Sequence, residues 1–580
     1  MKKDFPQGGS QKKIYLILPY FLLIFAAFLV YSNSFDGQFQ FDDAANITKQ
    51  PIIKDLNNFS DLDLWTNINF RPLSMFTFAL NYNLNGFDVT GYHIFNLIIH
   101  ILCGFLVFLL MKKILSIYWK KDESNSDITL ISLFISLVFV LHPIQTQSVT
   151  YIVQRMTALS GLFYLLAVYL YIVARRKHVQ RGSALTSILY YLLVILVGVL
   201  SLLSKQIAVT LPLALLLVEI CFIRSKEGKV YKKFVLLSLS VIILLVVIVA
   251  VTGNLPRETD KISRTDYFVT QFRVMTKYIQ LLILPINQNL DYAIRPATTF
   301  WHFKEIASFL FLSFLIFLSI YFYKRNKLIT FGIIWFFVTL ALESSIIPIR
   351  GLIYEHRLYL ALMGFSTVLV TVVYRVTKKR KELFILILSI IIIIYGFATF
   401  QRNKVWKNRF TLWSDILKKS PQKARSHYYM GIILSDSGQK RRAINFYLKA
   451  IKLRPGYVDA LVSLGNVLKS LGKNTKAVQY YKNALKYDPQ STAALNNLGV
   501  IVSDRGEYEK AITYYNKILK IEPHNAEAMN NLGIIWGRKK NYSKAMQYFK
   551  KALSIRPQYA TARKNLQLIE NYLKQQNFEE

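Results

Sequence analysis

The sequence predicts an all-α chain in which a polytopic bundle of membrane helices, with about eleven spans, precedes a C-terminal superhelix of helical repeats. Three observations support this fold class. The 580 residues are 53% hydrophobic and 14% aromatic, which is more apolar than a soluble core requires. Apolar runs of membrane-spanning length recur up to about residue 400, and a regular 34-residue pattern follows them.

The membrane half is predicted from its apolar runs, since about 20 apolar residues of helix cross a bilayer core. The first run follows a basic stretch and has no small-residue cleavage pattern after it, so we expect a retained span. The runs lie at residues 14–31, 92–111, 128–141, 157–174, 186–203, 206–223, 234–252, 306–323, 329–348, 358–374 and 383–400.

A twelfth apolar stretch, residues 268–286, carries Arg273 and Lys277 on one helical face. If it does not cross, every basic run between spans lies on the side of the basic N-terminus, as the positive-inside rule requires. If it crosses, the last two basic runs are moved outside. We therefore predict an interfacial or re-entrant helix that ends at Pro285, with the loop 32–91 and the C-terminus outside.

Charge and cysteine content argue against other classes. Lys and Arg number 72 against 33 Asp and Glu, for a net charge of +39. Much of this excess lies in short runs between apolar segments, where it sets topology rather than binding nucleic acid. Cys103 and Cys221 both lie inside apolar runs, so neither a disulfide framework nor a thiolate metal site is predicted.

The pattern in the last part of the chain is a repeat of paired helices, typical of tetratricopeptide repeats. Small residues at a fixed period let the helices approach, and a proline ends each repeat. The recurring positions are Pro421, Pro455, Pro489, Pro523 and Pro557; Gly431, Gly465, Gly499 and Gly533; and Ala443, Ala477, Ala511 and Ala545. We predict a membrane domain at 1–400, a linker at 401–423, and four repeats at 424–580 with a closing helix from about Ala560.

An acidic pair, Asp42 and Asp43, lies in the loop 32–91, the longest non-apolar stretch of the membrane half. A carboxylate beside a low-dielectric boundary has a raised affinity for protons, which suits a general base. Neighbouring side chains in an extended loop point to opposite sides, so one Asp would face the reaction while the other would anchor the loop or a metal. A solvated pair, or a cap for a helix starting near Ala44, would explain the same dipeptide. The stretch 71–86 is amphipathic and suits the membrane interface.

Further ionisable residues fall on the same outer side in this topology. Charged groups at membrane depth are costly and usually line a cavity or pathway, and arginine forks match phosphate oxygens. Their mixture suggests a site for an anionic headgroup. Snorkelling to the interface would explain Lys205 or Arg350 alone, and His142 could simply end a span. The set is His142, Arg155, Lys205, Asp291, Arg295, Arg350, Glu355, His356 and Arg357.

The motifs together resemble those of the transmembrane and tetratricopeptide-repeat containing O-mannosyltransferase-like proteins, including prokaryotic relatives, over almost the whole chain. They occur in the family's order: FDD at 41, RPL at 71, HPIQTQSVTYIVQR at 142, SKQ at 204, LLILPINQNLDY at 281, EHRLYL at 355 and RNKVWKNRFTLW at 402. The resemblance implies a membrane glycosyltransferase of the GT-C architecture with an extracytoplasmic active site. It also implies a polyprenyl- or dolichyl-phosphate sugar as donor.

Carried over to this sequence, the resemblance implies Asp42 as the base and leaves Asp43 as an unassigned partner. It implies a lipid-phosphate site built around Arg357, with Arg155, Lys205, His356 and Glu355, and with Arg71, His142 and Asp291 as secondary candidates. The family does not establish metal dependence, so a divalent metal stays open and no other cofactor is predicted.

Asn497, Asn531 and Asn565 recur at one position of the first repeat helices, although asparagine is a mediocre helix former. They predict an amide ladder that reads a peptide backbone. Alternatively, the shared NNLG sequence is only common consensus, and the register already fails at Ser463 and Tyr429.

The resemblance therefore implies a membrane glycosyltransferase that moves mannose or another hexose from a polyprenyl-phosphate donor to Ser or Thr of extracytoplasmic proteins, and we expect the repeats to recruit the acceptor. A base for the acceptor and cations for the departing phosphate suffice, so direct displacement with inversion is expected. Two alternatives stay open: the same donor with a glycan or lipid acceptor, and a non-catalytic membrane scaffold. The expected location is a plasma or bacterial inner membrane, with the repeats extracytoplasmic.

Overall fold

The computed structural model of the chain describes residues 9–119, 123–179, 184–223, 262–349, 351–378 and 380–579. These residues form helices joined by turns and contain no strand, which confirms the predicted all-α fold class. The chain divides into two compact units, Met1–Asp415 and Ile416–Glu580, and the division falls inside the predicted linker.

The first unit is a multi-pass membrane bundle. Its described residues include eight helices that are long and apolar enough to cross a bilayer. Each coincides with a predicted apolar run, whereas the run 234–252 lies outside the described residues. The eight helices are Ile17–Ser34, Val89–Tyr118, Ile152–Arg176, Leu185–Ser204, Gln206–Ile223, Phe303–Tyr323, Glu355–Val376 and Lys381–Val405.

Two predicted spans depart from a simple helix. Asn125–Leu141 ends before Pro143 and continues, after a bend of 47°, into Pro143–Val149. Proline lacks the amide hydrogen that a continuing helix uses, which explains the break. The run 329–348 forms only the helix Lys327–Leu340, which is too short to cross a bilayer core alone.

The residues after this short helix do not continue as a regular helix. Beyond it, Ser345 Oγ accepts a hydrogen bond from the amide of Ile347 at 3.2 Å, and Pro348 follows. Such a side-chain bond to a nearby amide competes with helical hydrogen bonding. The polar residues Glu343 and Ser344 lie buried in these turns.

The stretch 268–286, whose topology separates the two predicted arrangements, belongs to the helix Arg264–Ile283. This helix is not among the apolar helices that could span a membrane. Arg273 Nε lies 3.0 Å from Glu305 Oε1, so one of the charges that interrupt the stretch is paired within the bundle.

Part of the loop 32–91 is packed into the bundle. Its helix Pro72–Asn85 buries Met75, Phe78 and Ala79, and it contacts the helices Val89–Tyr118 and Ala184–Ser204. We expected this stretch to lie along the membrane interface. The structure shows that one face of this helix is buried within the unit.

The second unit consists of four helix pairs and a closing helix, as predicted from the 34-residue period. The recurrent glycine of each first helix faces an aromatic ring of the second helix: a Cβ at Gly431 would lie 2.6 Å from Tyr447, and one at Gly533 would lie 2.6 Å from Phe549. The glycines therefore set the spacing within each pair. The helices are Ala424–Asp436, Lys440–Leu453, Val458–Ser470, Asn474–Tyr487, Thr492–Asp504, Tyr508–Ile521, Ala526–Arg538, Tyr542–Ile555 and Ala560–Glu579.

Candidate active site

The two carboxylates of the acidic pair occupy different environments. Asp42 is exposed, whereas Asp43 is buried. Asp43 Oδ2 accepts a hydrogen bond from the amide of Gln40 at 2.7 Å, and Oδ1 accepts one from the amide of Val153 at 2.8 Å. The side chain of Asp43 makes no capping bond to the helical turn Ala44–Thr48, so Asp43 does not cap this turn.

The electrostatics of Asp43 fit an anchoring residue. Burial raises the pKa of Asp43 to about 8, while its two backbone hydrogen bonds and the charge of Arg155 act in the opposite direction. Both of its oxygens are engaged by backbone amides, one of them 110 residues away in sequence. Asp43 thus ties the loop 32–91 to the rest of the bundle.

Asp42 is held through its backbone. Its amide donates to the Tyr151 hydroxyl at 2.8 Å, and the Tyr151 ring stacks on Trp406 with centroids 5.1 Å apart. The preceding residue, Phe41, has φ of 44°, a left-handed conformation that turns the chain sharply here. A solvent-accessible carboxylate is therefore presented from a fixed backbone position.

The segment 142–157 binds Asp42 through Tyr151 and Asp43 through Val153. The same segment also contacts Lys205 and His356. The Gln147 side-chain oxygen accepts from the amide of His356 at 2.8 Å and lies 2.9 Å from His356 Nδ1. Because a carbonyl oxygen only accepts, we assign the imidazole hydrogen to Nδ1. Thr157 Oγ1 accepts from Lys205 Nζ at 2.9 Å. One segment therefore joins the acids to the cations.

Three cations from distant parts of the chain gather beside His356. We call Arg71, Lys205 and Arg357 the cationic cluster; Lys205 and His356 each lie within electrostatic reach of the other cations. Arg71 has φ of 56°, and its Nε donates to Gln206 Oε1 at 3.4 Å. The cluster unites two predicted phosphate ligands with a residue that was only a secondary candidate.

The cluster is largely shielded from water. Lys205 and Arg357 are both buried, and the Arg357 guanidinium lies over the Tyr354 ring while its Nη2 donates to the Gly351 carbonyl at 3.0 Å. Burial lowers the pKa of Lys205 to about 8, so its ammonium is charged at neutral pH and loses its proton in mild alkali. Buried cations in a low-dielectric setting attract an anion strongly.

A residue that the sequence did not single out supplies an acid to this cluster. Glu343 Oε1 lies 3.4 Å from Lys205 Nζ and 4.0 Å from Arg357 Nε. The sequence contained a signal for Glu343, because a lone glutamate within an apolar run is energetically costly and usually indicates a functional site. It was missed because the run was taken as a whole span.

Glu355 fixes a neighbouring loop. Its Oε1 accepts from the amide of Asn289 at 2.5 Å and from the Tyr292 hydroxyl at 2.6 Å, while Oε2 accepts from Gln288 Nε2 at 3.0 Å. Asp291 lies half-buried in the same loop. Glu355 therefore positions the loop that contains Gln288, Asn289 and Tyr292. Arg350, another predicted site residue, lies outside the described residues.

Arg155 is engaged by protein groups on every guanidinium nitrogen. Nε donates to Asn96 Oδ1 at 2.6 Å, Nη1 to the Thr77 carbonyl at 3.0 Å and Nη2 to the Tyr92 carbonyl at 3.1 Å. The guanidinium also lies over the Phe78 ring. This arrangement joins the helices Pro72–Asn85 and Val89–Tyr118.

His142 is likewise satisfied by backbone groups. Nε2 lies 2.9 Å from the Leu282 carbonyl, and Nδ1 accepts from the amide of Ile144 at 3.1 Å. The ring therefore ends one helix and steers the turn into the next. No three His, Cys, Asp or Glu side chains come together as a possible metal site in the part of the chain that the structure describes.

The three predicted peptide-binding asparagines do not share one set of contacts. Asn531 Nδ2 donates to Asn496 Oδ1 at 3.0 Å, and Asn565 Nδ2 donates to Asn530 Oδ1 at 3.1 Å. Asn497 instead donates to the Ala493 carbonyl of its own helix at 2.9 Å. Asn531 and Asn565 thus link consecutive repeats.

Comparison with family models places repeats in the second unit. Residues 424–457, 446–479 and 490–558 match models described as tetratricopeptide repeat, and residues 465–504 match a model described as TPR repeat. Among solved structures, a crystal structure of MamA is 25% identical, with a TM-score of 0.24 over 26% of this chain and 88% of that one. YrrB, described as a TPR protein with an unusual peptide-binding site, is 21% identical, with a TM-score of 0.24 over 33% of this chain and 95% of that one.

Curated relatives match most of the chain. A protein O-mannosyl-transferase of Caenorhabditis elegans is 27% identical over 75% of this chain and 63% of the relative. The chain is a relative of the protein O-mannosyl-transferases. Protein O-mannosyl-transferase TMTC3 of Homo sapiens is also 27% identical, over 75% of this chain and 51% of the relative. Protein O-mannosyl-transferase TMTC4 of Mus musculus is 24% identical, over 73% of this chain and 65% of the relative.

This relationship to the protein O-mannosyl-transferases confirms the resemblance drawn from the ordered motifs. The chain spans about half to two thirds of the length of these relatives.

Proposed function

We propose that this protein transfers mannose or another hexose from a polyprenyl-phosphate sugar to Ser or Thr of extracytoplasmic proteins. One observation carries the proposal: the segment 142–157 holds an exposed carboxylate, Asp42, on one side and binds Lys205 and His356 of the cationic side. A base and a phosphate-binding cluster are the two parts that this transfer needs. The activity named for the relatives supports the same reaction.

In the proposed reaction, Asp42 accepts the proton of the acceptor hydroxyl as its oxygen attacks the anomeric carbon. The bond between that carbon and the phosphate oxygen breaks, and the electron pair leaves with the lipid phosphate. A single displacement inverts the anomeric configuration and needs no second carboxylate. Asp43 takes no part in proton transfer and keeps the loop in place.

The cationic cluster binds the phosphate of the donor and stabilises the charge that develops on it. Arg71 and Arg357 supply guanidinium forks that match phosphate oxygens, and Lys205 supplies a point charge. We leave Arg155 and His142 out of this site, because their polar hydrogens already bind protein carbonyl or amide oxygens. Both support the site by positioning helices.

We place the site and the repeats on the extracytoplasmic side. The distribution of basic runs supports this orientation, because all of them then share the side of the basic N-terminus. The repeats present the acceptor to the membrane unit. A reporter fused after residue 580 tests the orientation: glycosylation or alkaline phosphatase activity is expected, and a cytoplasmic signal would instead require that the helix Arg264–Ile283 crosses the membrane.

The catalytic assignment is tested with Asp42→Asn in membranes supplied with polyprenyl-phosphate mannose and a Ser/Thr-rich acceptor. We expect transfer to fall by about 100-fold or more at unchanged protein level, because the base is lost. Asp63→Asn is the matched control, since Asp63 is an exposed acid of the same loop. Normal transfer by Asp42→Asn would overturn the assignment.

The acceptor is tested by removing residues 424–580. Donor hydrolysis should persist while transfer to proteins is lost, if the repeats recruit the acceptor. Comparison of secreted proteins from deletion and wild-type cells should show lost hexose masses. An unchanged protein profile together with a changed glycan or lipid profile would replace the protein acceptor in this proposal.

A further inference from the structure

One buried acid of the membrane unit has no role in the reaction described above. Glu343 lies in the turns after the helix Lys327–Leu340 and is 8% exposed. Its backbone carbonyl accepts from the Tyr267 hydroxyl at 2.9 Å, which holds its position in the bundle. Its side chain enters the cationic cluster.

The contacts of this carboxylate are loose. Oε1 is 3.4 Å from Lys205 Nζ and 4.0 Å from Arg357 Nε, while Oε2 makes no hydrogen bond to the described residues. Arg357 Nε also makes none there. Glu343 Oε2 and Arg357 Nε are thus two buried polar atoms that leave hydrogen bonds open among the described residues.

Another buried ion pair in the same unit, between Arg175 and Glu219, is closer than the contacts of Glu343. Glu219 Oε1 lies 2.5 Å from Arg175 Nη2, and its Oε2 accepts from Arg175 Nε at 3.0 Å and from the Tyr171 hydroxyl at 2.7 Å. Such a bidentate pair is hard to displace, because breaking it leaves buried charges without partners. Glu343 makes no comparable bidentate contact with Lys205 or Arg357.

We propose that Glu343 is a built-in counter-anion, which occupies the cationic cluster when the lipid-phosphate site is empty and is displaced by the phosphate of the donor. This inference rests on the proposed function. Buried cations that lie close together need an anion. The donor phosphodiester carries one negative charge on two unesterified oxygens, as a carboxylate does, and has two ester oxygens that can also accept hydrogen bonds. The incoming phosphate therefore wins by completing the hydrogen bonds that Glu343 leaves open.

The arrangement lowers the affinity of the site for every lipid phosphate, including the product. The released lipid phosphate would otherwise stay bound to the cluster, because its charge is at least as large as that of the donor. Return of Glu343 to Lys205 and Arg357 favours its release. Glu343 is thus a positioning residue that acts through the two cations and not on the sugar.

The test measures binding of farnesyl phosphate to the purified full-length protein in nanodiscs. We expect Glu343→Gln to bind it about tenfold more tightly, because the competing charge is removed. In the transfer assay the same variant should lower both KM for the donor and kcat, since product release slows. Glu343→Asp keeps the charge on a shorter side chain and should show a smaller change in the same direction.

Glu305→Gln is the matched control, because Glu305 is also a buried glutamate paired with an arginine, Arg273. It should leave farnesyl phosphate affinity unchanged. Unchanged or weaker binding by both Glu343→Gln and Glu343→Asp would overturn the inference. If Glu343→Gln does not fold, the Glu343→Asp comparison decides alone.

The outcomes separate this inference from the proposed function. Tighter binding by Glu343→Gln without sugar transfer by the wild-type protein would support the counter-anion and overturn the transferase. Sugar transfer by the wild-type protein with unaltered binding in both Glu343 variants would do the reverse. Wild-type protein that does not bind farnesyl phosphate at all would overturn the inference directly.

Discussion

The membrane unit and the repeat unit differ in how far apart in sequence their important contacts are. In the repeats, a glycine meets an aromatic ring 16 residues later, as Gly465 meets Tyr481. In the membrane unit, Asp43 binds an amide 110 residues away, and Gln147 binds His356 across 209 residues. The first kind of contact repeats along the chain, whereas each contact of the second kind occurs once.

This difference explains what substitutions in each unit should do. A contact within a repeat is one of several equivalent contacts. Its loss should therefore destabilise that repeat and its neighbours and leave the other repeats folded. A site contact has no copy, so its loss should remove function with little effect on the fold. Four experiments test this distinction, and they follow in decreasing order of the effect that we expect.

The largest effect is expected for Arg357→Ala. This substitution removes a buried cation from the proposed phosphate site, and donor binding should weaken by about 100-fold, in line with losses of 2 to 5 kcal/mol for buried charge partners. Arg295→Ala, which removes an exposed arginine outside the helices, should have little effect. Equal losses in the two variants, measured by farnesyl phosphate binding, would contradict the site.

The next effect concerns Gly465 in the repeats. Gly465→Ala would place a Cβ against the Tyr481 ring, which we expect to cost about 1 to 3 kcal/mol. Gly537→Ala is the control, because its Cβ would lie 3.6 Å from the nearest atom and alanine favours helix. Limited proteolysis of the repeats should show faster cleavage for Gly465→Ala only. Sugar transfer from donor to water should be unaffected in both.

The same distinction explains what could be predicted from the sequence. The repeats were predicted to the closing helix, because a 34-residue period in glycine, alanine and proline reports contacts made within and between neighbouring repeats. Most membrane helices were predicted because bilayer thickness sets their length. Neither the 34-residue period nor the length of an apolar run indicates which loops are in contact in the folded protein. Arg71 was therefore only a secondary candidate, although the structure places it with Lys205 and Arg357.

Two further residues show what the sequence pattern does not record in the membrane unit. Arg155 was expected to bind phosphate from the family resemblance, whereas the structure buries it against Phe78 and Phe95 and gives it three hydrogen bonds to protein groups. Glu343 was read as part of an apolar run. Only the end of the helix at Leu340 shows that this acid enters a turn and reaches the cations.

A moderate effect is expected from pH. Burial lowers the pKa of Lys205 to about 8, so the cluster carries this charge below pH 8 and loses it above. A sugar phosphodiester keeps its own charge over this range, so KM for the donor should rise several-fold between about pH 7 and pH 9. Lys205→Arg stays charged throughout and should remove most of this rise. A rise of the same size in Lys205→Arg would assign the titration to another group.

The smallest effect separates structural from peptide-binding asparagines. Asn531→Ala removes a hydrogen bond to Asn496 of the previous repeat and should cost about 1 kcal/mol of repeat stability. Asn497→Ala removes only a bond within its own helix and should be nearly neutral for stability. If the asparagines instead read a peptide backbone, both substitutions should weaken acceptor binding alike, whatever they do to stability. A loss of stability confined to Asn531→Ala, with acceptor binding intact, would make the amide ladder a link between repeats, local and repeated like the other contacts of that unit.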